Sequence, residues 1–146
     1  MQSVRQERSA ARDAYDELCT YTLTHPDPSF IHQQVVDAFA AQNASETSKP
    51  ISVTFALVGL YLHVEKGFNG REVQRVHMQL ARQKHKWPSF SLPEARGAIT
   101  ALDVIKTPEG TERDRAIHDW CSAVWGAFVG NRERIISLLN NRRLGS

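Results

Sequence analysis

The chain has 146 residues, of which 41% are hydrophobic and 23% charged, and its formal net charge is +2. This length and composition are ordinary for one globular domain with a sizeable core. A net charge this small does not by itself support nucleic acid or an anionic membrane as a partner, and nucleic-acid binding is not expected.

The sequence shows no clear signal peptide, membrane-spanning segment or cysteine motif. Residues 1–12 are charged and lack the apolar run of a signal peptide. The longest apolar stretch, 53–64, is too short to span a bilayer, so no membrane association is expected. Cys19 and Cys121 stand far apart and fit no metal or redox spacing, so we expect buried, reduced thiols and a cytoplasmic location.

The first two predicted helices are separated by a proline-containing break. Apolar residues three or four apart predict a helix over 3–24, which ends at Pro26 because the residue before a proline avoids helical geometry. Asp27 is a favoured N-cap residue and Pro28 suits the first helical position. A second helix is therefore expected over 28–43.

The third predicted helix, 51–66, is apolar on almost every side, which is typical of the buried centre of a bundle. Its β-branched residues make a strand the rival interpretation, but its length and lack of turn signals favour a helix. Gly59 lies in its middle and would allow close contact with a neighbouring helix. Gly67 carries the signal of a helix C-cap.

A capping-box pattern at 69–72 predicts the start of a fourth helix that runs to about His85. Residues 87–110 contain three prolines and predict a long ordered connection, with a short helical turn over 100–105. The turn signals around this segment separate it from the helices on both sides.

Residues 111–114 carry another helix-start signature, so a fifth helix is expected there. Gly130-Asn131 should break it before a last helix over 132–142. The sequence thus predicts an all-α, compact, single-domain bundle of five to six helices over residues 1–146, with a long proline-containing connection.

The second helix carries polar groups near its apolar face. His32 and Gln42 lie at the edges of that face, whereas Asp37 lies about 140° from His32 around the helix axis. One regular helix therefore cannot hold an ion between His32 and Asp37. The structural interpretation is that His32 and Gln42 bond to neighbouring helices; the functional one is a metal or substrate site. The inner face itself is expected to comprise Ile31, Val35, Ala38 and Phe39.

Histidines suggest a divalent-metal hypothesis, since neutral imidazole is a common transition-metal ligand. His25, His32 and His77 could converge inside a bundle, as ligands of bundle metal sites do. No two histidines are spaced i, i+4 and no His-Glu-x-x-His or Cys-x-x-Cys motif is present. The competing interpretation is a set of core and surface histidines, with His77 as a hydrogen-bonded core residue.

The aromatic and basic residues near the C-terminal end have simple structural interpretations. Trp120 and Trp125 are expected to anchor the core, and Trp87 to cover it from the connection. No nucleophile elbow or phosphate loop supports a hydrolase or nucleotide-binding enzyme. A basic cluster near the end of the chain is expected to be a solvated helix face: Arg132, Arg134, Arg142 and Arg143.

The segment His32-Gln-Gln-Val-Val-Asp-Ala-Phe-Ala-Ala-Gln42 resembles the central motif of a family of small bacterial proteins of unknown function, His-Gln-x-x-Val-Asp-Ala-(Tyr/Phe)-Ala-x-Gln. Segments 96–104 and 117–128 resemble two further family segments in the same order. The chain lacks the cysteine-rich start often seen in that family, so no metal role carries over from there. The resemblance supplies no activity and implies a shared set of residues, namely His32, Asp37, Gln42, Trp120 and Trp125.

Two functional hypotheses follow from these patterns. The leading one is a non-enzymatic binding or interaction domain, acting alone or as a homo-oligomer, with an unknown partner. The alternative is a metal-dependent enzyme of the helical-bundle type with histidine ligands, by analogy to fold alone.

Overall fold

The computed structural model describes residues 4–25, 27–83 and 86–142, with side chains from residue 9 onward. These residues form six helices of ten or more residues, one five-residue helix and one 3-10 turn, with no strand among them. The all-α fold and the helical interpretation of the third segment are confirmed. The helices are α1 Val4–Thr24, α2 His32–Gln42, α3 Pro50–Lys66, α4 Gly70–Arg82, α5 Ala101–Ile105, α6 Thr111–Phe128 and α7 Arg132–Asn141.

Helix α3 lies at the centre of the bundle and packs against α2, α4, α6 and α7. Nine consecutive or near-consecutive residues between Val53 and Leu62 are buried, because the helix is apolar on every side. Trp120 and Phe128 from α6 are fully buried beside this core. No described helix is both long enough and apolar enough to cross a membrane.

Local sequence signals placed several helix ends correctly. Gly67 ends α3 with a φ of 72°, the left-handed conformation that glycine adopts without strain. Asn69 caps α4 in a capping box: its Oδ1 accepts from the Glu72 amide at 2.9 Å, and Glu72 Oε1 accepts from the Asn69 amide at 3.0 Å. Helix α4 ends at Arg82; the predicted end at His85 lies outside the described residues.

The start of α2 differs from its prediction. The helix begins at His32 instead of Pro28, because Phe30 has a φ of 58° and cannot continue a right-handed helix. Asp27 caps a tight turn, in which its carboxylate accepts from the amides of Ser29 and Ile31. The proline-containing signature therefore marks a turn that precedes the helix.

The connection between α4 and α6, described over residues 86–110, packs against the core and includes α5. Asn131 binds the connection through both groups of its side-chain amide. It lies in the 3-10 turn Val129–Asn131, which separates α6 from α7. Its Oδ1 accepts from the Ser91 amide at 2.8 Å, and its Nδ2 donates to the Ser91 carbonyl at 2.8 Å. A buried amide that matches a backbone pair in this way fixes the connection against the bundle.

The two thiols are only partly as expected. Both cysteines are free; Cys121 is buried, whereas Cys19 is half-buried. Trp120 and Trp125 are 0% and 3% exposed, so both anchor the core as predicted.

Candidate functional site

Gln42 links three parts of the molecule. Its Oε1 accepts from Trp120 Nε1 at 2.9 Å, and its Nε2 donates to the carbonyls of Ile99 at 2.7 Å and Arg96 at 3.2 Å. Both amide groups are therefore used to join α2 to α6 and to the connection. Gln42 and Trp120 are the two predicted site residues that the structure brings into direct contact.

Arg96 closes the C-terminal end of α2. Its Nη1 donates to the carbonyls of Ala41 at 3.1 Å and Ala44 at 3.0 Å, and its Nε donates to the Pro93 carbonyl. Cations are favourable at a helix C-terminus, where backbone carbonyls lack partners. The guanidinium also lies 5.3 Å from the centroid of the Phe128 ring. The sequence segment 96–104 contained this residue without indicating its role.

Asp37 lies inside the bundle, 4% exposed, where α2 approaches α3. A Cβ on Gly59 would lie 1.9 Å from Asp37 Oδ2, so the glycine makes room for the carboxyl group. Gln33 Nε2 donates to Asp37 Oδ1 at 3.1 Å. Burial raises the pKa of Asp37 well above its usual range, which favours the neutral acid.

Cys121 adds a second neutral group to this interior. Its pKa is raised, first by burial and then by Asp37. Its Sγ lies 3.6 Å from the Gln34 carbonyl oxygen. A protonated, solvent-excluded thiol is a poor nucleophile, so the pair fits a packing role better than acid–base or nucleophilic chemistry.

His32 lies on a different side of α2 from Asp37, as the helical geometry predicted. Its Nδ1 is 2.9 Å from Thr22 Oγ1 of α1, and its ring lies 5.6 Å from that of Phe30. Burial lowers the pKa of His32. This histidine ties α2 to α1.

Trp125 belongs to a third cluster. Its Nε1 donates to Glu65 Oε2 at 2.8 Å, while Arg132 Nε donates to Glu65 Oε1 at 2.8 Å. Glu65 therefore joins α3 to both α6 and α7. Of the five residues of the predicted polar site, Gln42 and Trp120 thus share one contact, whereas His32, Asp37 and Trp125 each have partners outside this set.

The structure does not bring His25, His32 and His77 together. His25 Nδ1 donates to the Tyr21 carbonyl at 2.6 Å, and His77 Nε2 donates to the Phe55 carbonyl at 2.7 Å. Burial lowers the pKa of His77 to about 4, so this is a neutral core histidine. Across the described residues, no three His, Cys, Asp or Glu side chains lie close enough to hold one metal ion.

A cleft with three cationic side chains lies between α7 and the start of the connection. We call it the basic cleft; its volume is about 380 Å³. Sequence reasoning interpreted the C-terminal arginines as a solvated face and did not foresee a cleft; Arg143 lies outside the described residues. The lining residues are Lys86, Pro88, Glu133, Arg134, Ser137, Leu138, Asn141 and Arg142.

The two arginines of the basic cleft are positioned by single contacts. Arg134 Nη1 donates to the Ser89 carbonyl at 2.7 Å, and Arg142 Nη1 lies 3.4 Å from Gln83 Oε1. Arg142 Nε is buried and has no hydrogen-bond partner among the described residues. Both guanidinium groups therefore keep donors that neither contact uses.

A second cleft, of about 460 Å³, lies beside the same connection. Pro88 lines both clefts, so both border the start of the connection. Unlike the basic cleft, this one has a single charged group, Glu46, among its lining side chains, which are Ser45, Glu46, Ser48, Pro50, Val53, Pro88, Ser89, Phe90 and Leu92.

A family model described as a family of unknown function (DUF5946) matches residues 5–129. No curated protein and no solved structure matches the chain. The matched range includes Gln42, Arg96 and Trp120 and ends before Arg134 and Arg142, two of the three cations of the basic cleft.

Proposed function

The chain belongs to DUF5946, a family of unknown function, and we propose that it is a binding domain whose ligand places an anionic group in the basic cleft. The observation that carries this proposal is the charge of the cleft: Lys86, Arg134 and Arg142 line it together with one carboxylate, Glu133. Cations gathered around one concave volume attract anions and raise their local concentration.

The available donors suit an oxyanion. Guanidinium groups bind phosphate and carboxylate through charge-assisted hydrogen bonds, which are shorter and stronger than neutral ones. Arg134 and Arg142 each have nitrogens that the protein does not occupy. Lys86 adds an exposed point charge at the start of the connection. Ser137 and Asn141 supply neutral hydrogen-bonding groups in the same cleft.

The size and apolar lining of the cleft limit the ligand further. A volume of about 380 Å³ is at the lower end of small-molecule sites. Leu138 and Pro88 provide apolar surface beside the charged groups. We therefore infer a small organic phosphate or carboxylate with a short apolar body.

A binding role also agrees with the use of the polar residues in the interior. Gln42 has hydrogen bonds from both of its amide groups to the protein itself. Asp37 and Cys121 are buried and favour their neutral forms. These groups are used or enclosed within the fold, which leaves recognition to the surface clefts.

The test uses three probes of similar size: phenyl phosphate, benzoate and uncharged benzamide. Isothermal titration calorimetry should detect binding of an anionic probe and not of benzamide, and affinity should fall as salt is added. Lys86→Gln and Arg142→Gln should each lower the affinity for the anion about tenfold, because each removes one charge-assisted contact. Arg75→Gln, which removes an exposed arginine on α4, is the matched control and should leave affinity unchanged.

Two results would overturn the proposal. One is the absence of binding by either anion at about 10 mM, well above a millimolar dissociation constant. The other is binding that the Lys86 and Arg142 variants leave intact, because it would place the anion elsewhere.

The cytoplasmic location, the single domain over residues 1–146 and homo-oligomer formation stay predictions. A single cooperative unfolding transition would support one domain. Molar mass from light scattering would decide the oligomeric state.

A further inference from the structure

Two histidines that are distant in sequence meet at the surface of the bundle. His63 Nε2 of α3 lies 3.0 Å from His118 Nδ1 of α6. The rings are nearly perpendicular, at 82°, with centroids 5.0 Å apart. His118 is exposed and His63 half-buried, so solvent ions can reach the pair.

The proton positions of this pair follow from its third partner. His63 Nδ1 lies 2.9 Å from the Phe68 carbonyl oxygen, which can only accept, so Nδ1 carries the hydrogen. In neutral His63 the lone pair is then on Nε2, which faces His118. Histidines that bind metals commonly donate their other ring N–H to a carbonyl, which fixes the ring and its tautomer.

We propose that His63 Nε2 and His118 Nδ1 together bind a borderline transition-metal ion such as Zn²⁺ or Cu²⁺. Tetrahedral zinc with Zn–N bonds of about 2.0–2.1 Å holds its nitrogens about 3.3 Å apart. From the observed 3.0 Å, the nitrogens must separate by a few tenths of an ångström and both rings must tilt so that their lone pairs point at the ion. When the ion binds, the proton of His118 Nδ1 moves through solvent to Nε2, and both rings stay neutral.

The site offers two protein ligands. No third His, Cys, Asp or Glu joins the pair within the described residues, so water fills the remaining positions. An open, labile site of this kind exchanges its ion readily and can accept a further ligand from outside the chain. This inference is independent of the basic cleft, which none of its residues lines.

The experiment titrates ZnCl₂ and CuCl₂ into untagged, chelator-treated protein by calorimetry. One equivalent should bind, and His118→Ala should weaken binding by at least about tenfold. His118 is the residue to change because it is exposed. His25→Ala, which removes another exposed histidine, is the control and should bind like the wild type. MgCl₂, a hard oxygen-seeking ion, should not bind here.

Imidazole ¹H–¹⁵N spectra keep the test decisive if a variant loses stability. In the wild-type protein, Zn²⁺ should change the chemical shifts of His63 Nε2 and His118 Nδ1. The resonances of the His25 and His77 nitrogens should not move. Unchanged ring signals at saturating Zn²⁺ would overturn the proposal. So would tight binding that survives in His118→Ala.

Discussion

The closed interior and the basic cleft use polar side chains in opposite ways. Asp37 and His77 are buried and Gln42 is half-buried between helices. Asp37 is bonded to Gln33 of its own helix, whereas Gln42 and His77 are bonded to other parts of the chain. In the cleft, Lys86 and Arg142 border an open volume with donors to spare. Ligand contacts are expected at a concave surface whose polar groups lack partners. They are less expected in a core whose polar groups already have hydrogen bonds.

Helix α2 also differs in its role from the residues that a ligand would contact. It ends at Gln42, which joins α2 to α6 and to the connection. The polar residues of α2 therefore help to specify how the bundle is assembled. A change in the interior should mainly alter stability, whereas a change in the cleft should mainly alter binding.

The largest expected effect concerns the pH dependence of stability at His77. Its pKa is about 4 in the folded protein, below the ordinary value of 6.5. A lowered histidine pKa gives stability that is complete above pH 6.5 and is lost as pH falls toward 4. The loss is about 3 kcal/mol over this window. Unfolding measured across this range should show it, and His77→Phe should remove it.

Asp37 provides a control of opposite sign. Burial raises the pKa of Asp37 in the folded protein. Its contribution to the free energy of unfolding is therefore complete below the pKa of the unfolded chain and is lost as pH rises through the pKa of the folded protein. Asp37→Asn should thus be more stable than the wild type at neutral pH and similar to it in acid. A wild-type profile that neither variant alters would contradict the closed-interior description.

The next effect is at the close approach of α2 and α3. Gly59→Ala would place a Cβ 1.9 Å from Asp37 Oδ2. Because the carboxyl group is enclosed, the free energy of unfolding should fall by about 3 kcal/mol, at the upper end of ordinary overpacking. Chemical denaturation measures this loss.

Gly126→Ala is the matched control, because a Cβ there meets nothing within 4 Å. It should increase stability by up to about 1 kcal/mol through the better helix propensity of alanine. Adding Asp37→Ala to Gly59→Ala should recover part of the loss. If Gly59→Ala and Gly126→Ala had equal effects, the helices would not be in the described contact.

A smaller effect is expected at Gln42. Gln42→Leu leaves Trp120 Nε1 without its acceptor and removes the two donors to the connection. A loss of about 2 kcal/mol follows from leaving a buried donor unpaired. Thermal and urea unfolding should both report it.

Gln79→Leu makes the same chemical change at an exposed position of α4 and should shift stability by less than about 0.5 kcal/mol. Equal losses at Gln42 and Gln79 would show that the hydrogen bonds of Gln42 add nothing to stability.

The smallest effect on stability is expected in the cleft. Lys86→Gln should change the free energy of unfolding by less than about 0.5 kcal/mol, because the residue is exposed. The same variant should still weaken anion binding. A large loss of stability instead would mean that Lys86 supports the fold, and the contrast between the two regions would fail.

Local signals made most of the fold predictable from the sequence. The capping box at Asn69, the left-handed Gly67 and the apolar pattern of α3 each depend on residues within one or two helical turns. The start of α2 was predicted wrongly because Phe30 takes its conformation next to a distant helix. A Cβ on Gly70 would lie 1.7 Å from the Phe30 carbonyl oxygen, and the Arg71 amide donates to the Ser29 carbonyl.

The candidate site was less predictable for the same reason. The position of Gln42 on its helix predicted that it bonds to a neighbouring helix. Its partner Trp120 could not be predicted, because it is 78 residues away in the sequence. His63 and His118 are 55 residues apart, and no spacing rule joins them. The sequence spacing of the C-terminal arginines is the same whether these residues face solvent or line a cleft. Only the path of the connection in the structure distinguishes the two arrangements.

Arg96 has a consequence for the order of folding. Its bonds to the end of α2 join residues 52 to 55 positions apart, so the chain must close a long loop before they form. Segment 86–100 is held by such distant side-chain contacts and has no helix of its own to protect its amides. We expect it to dock late and to open without global unfolding. The Ser91 amide, bonded to Asn131, should then exchange its hydrogen faster than the amides at the centre of α3.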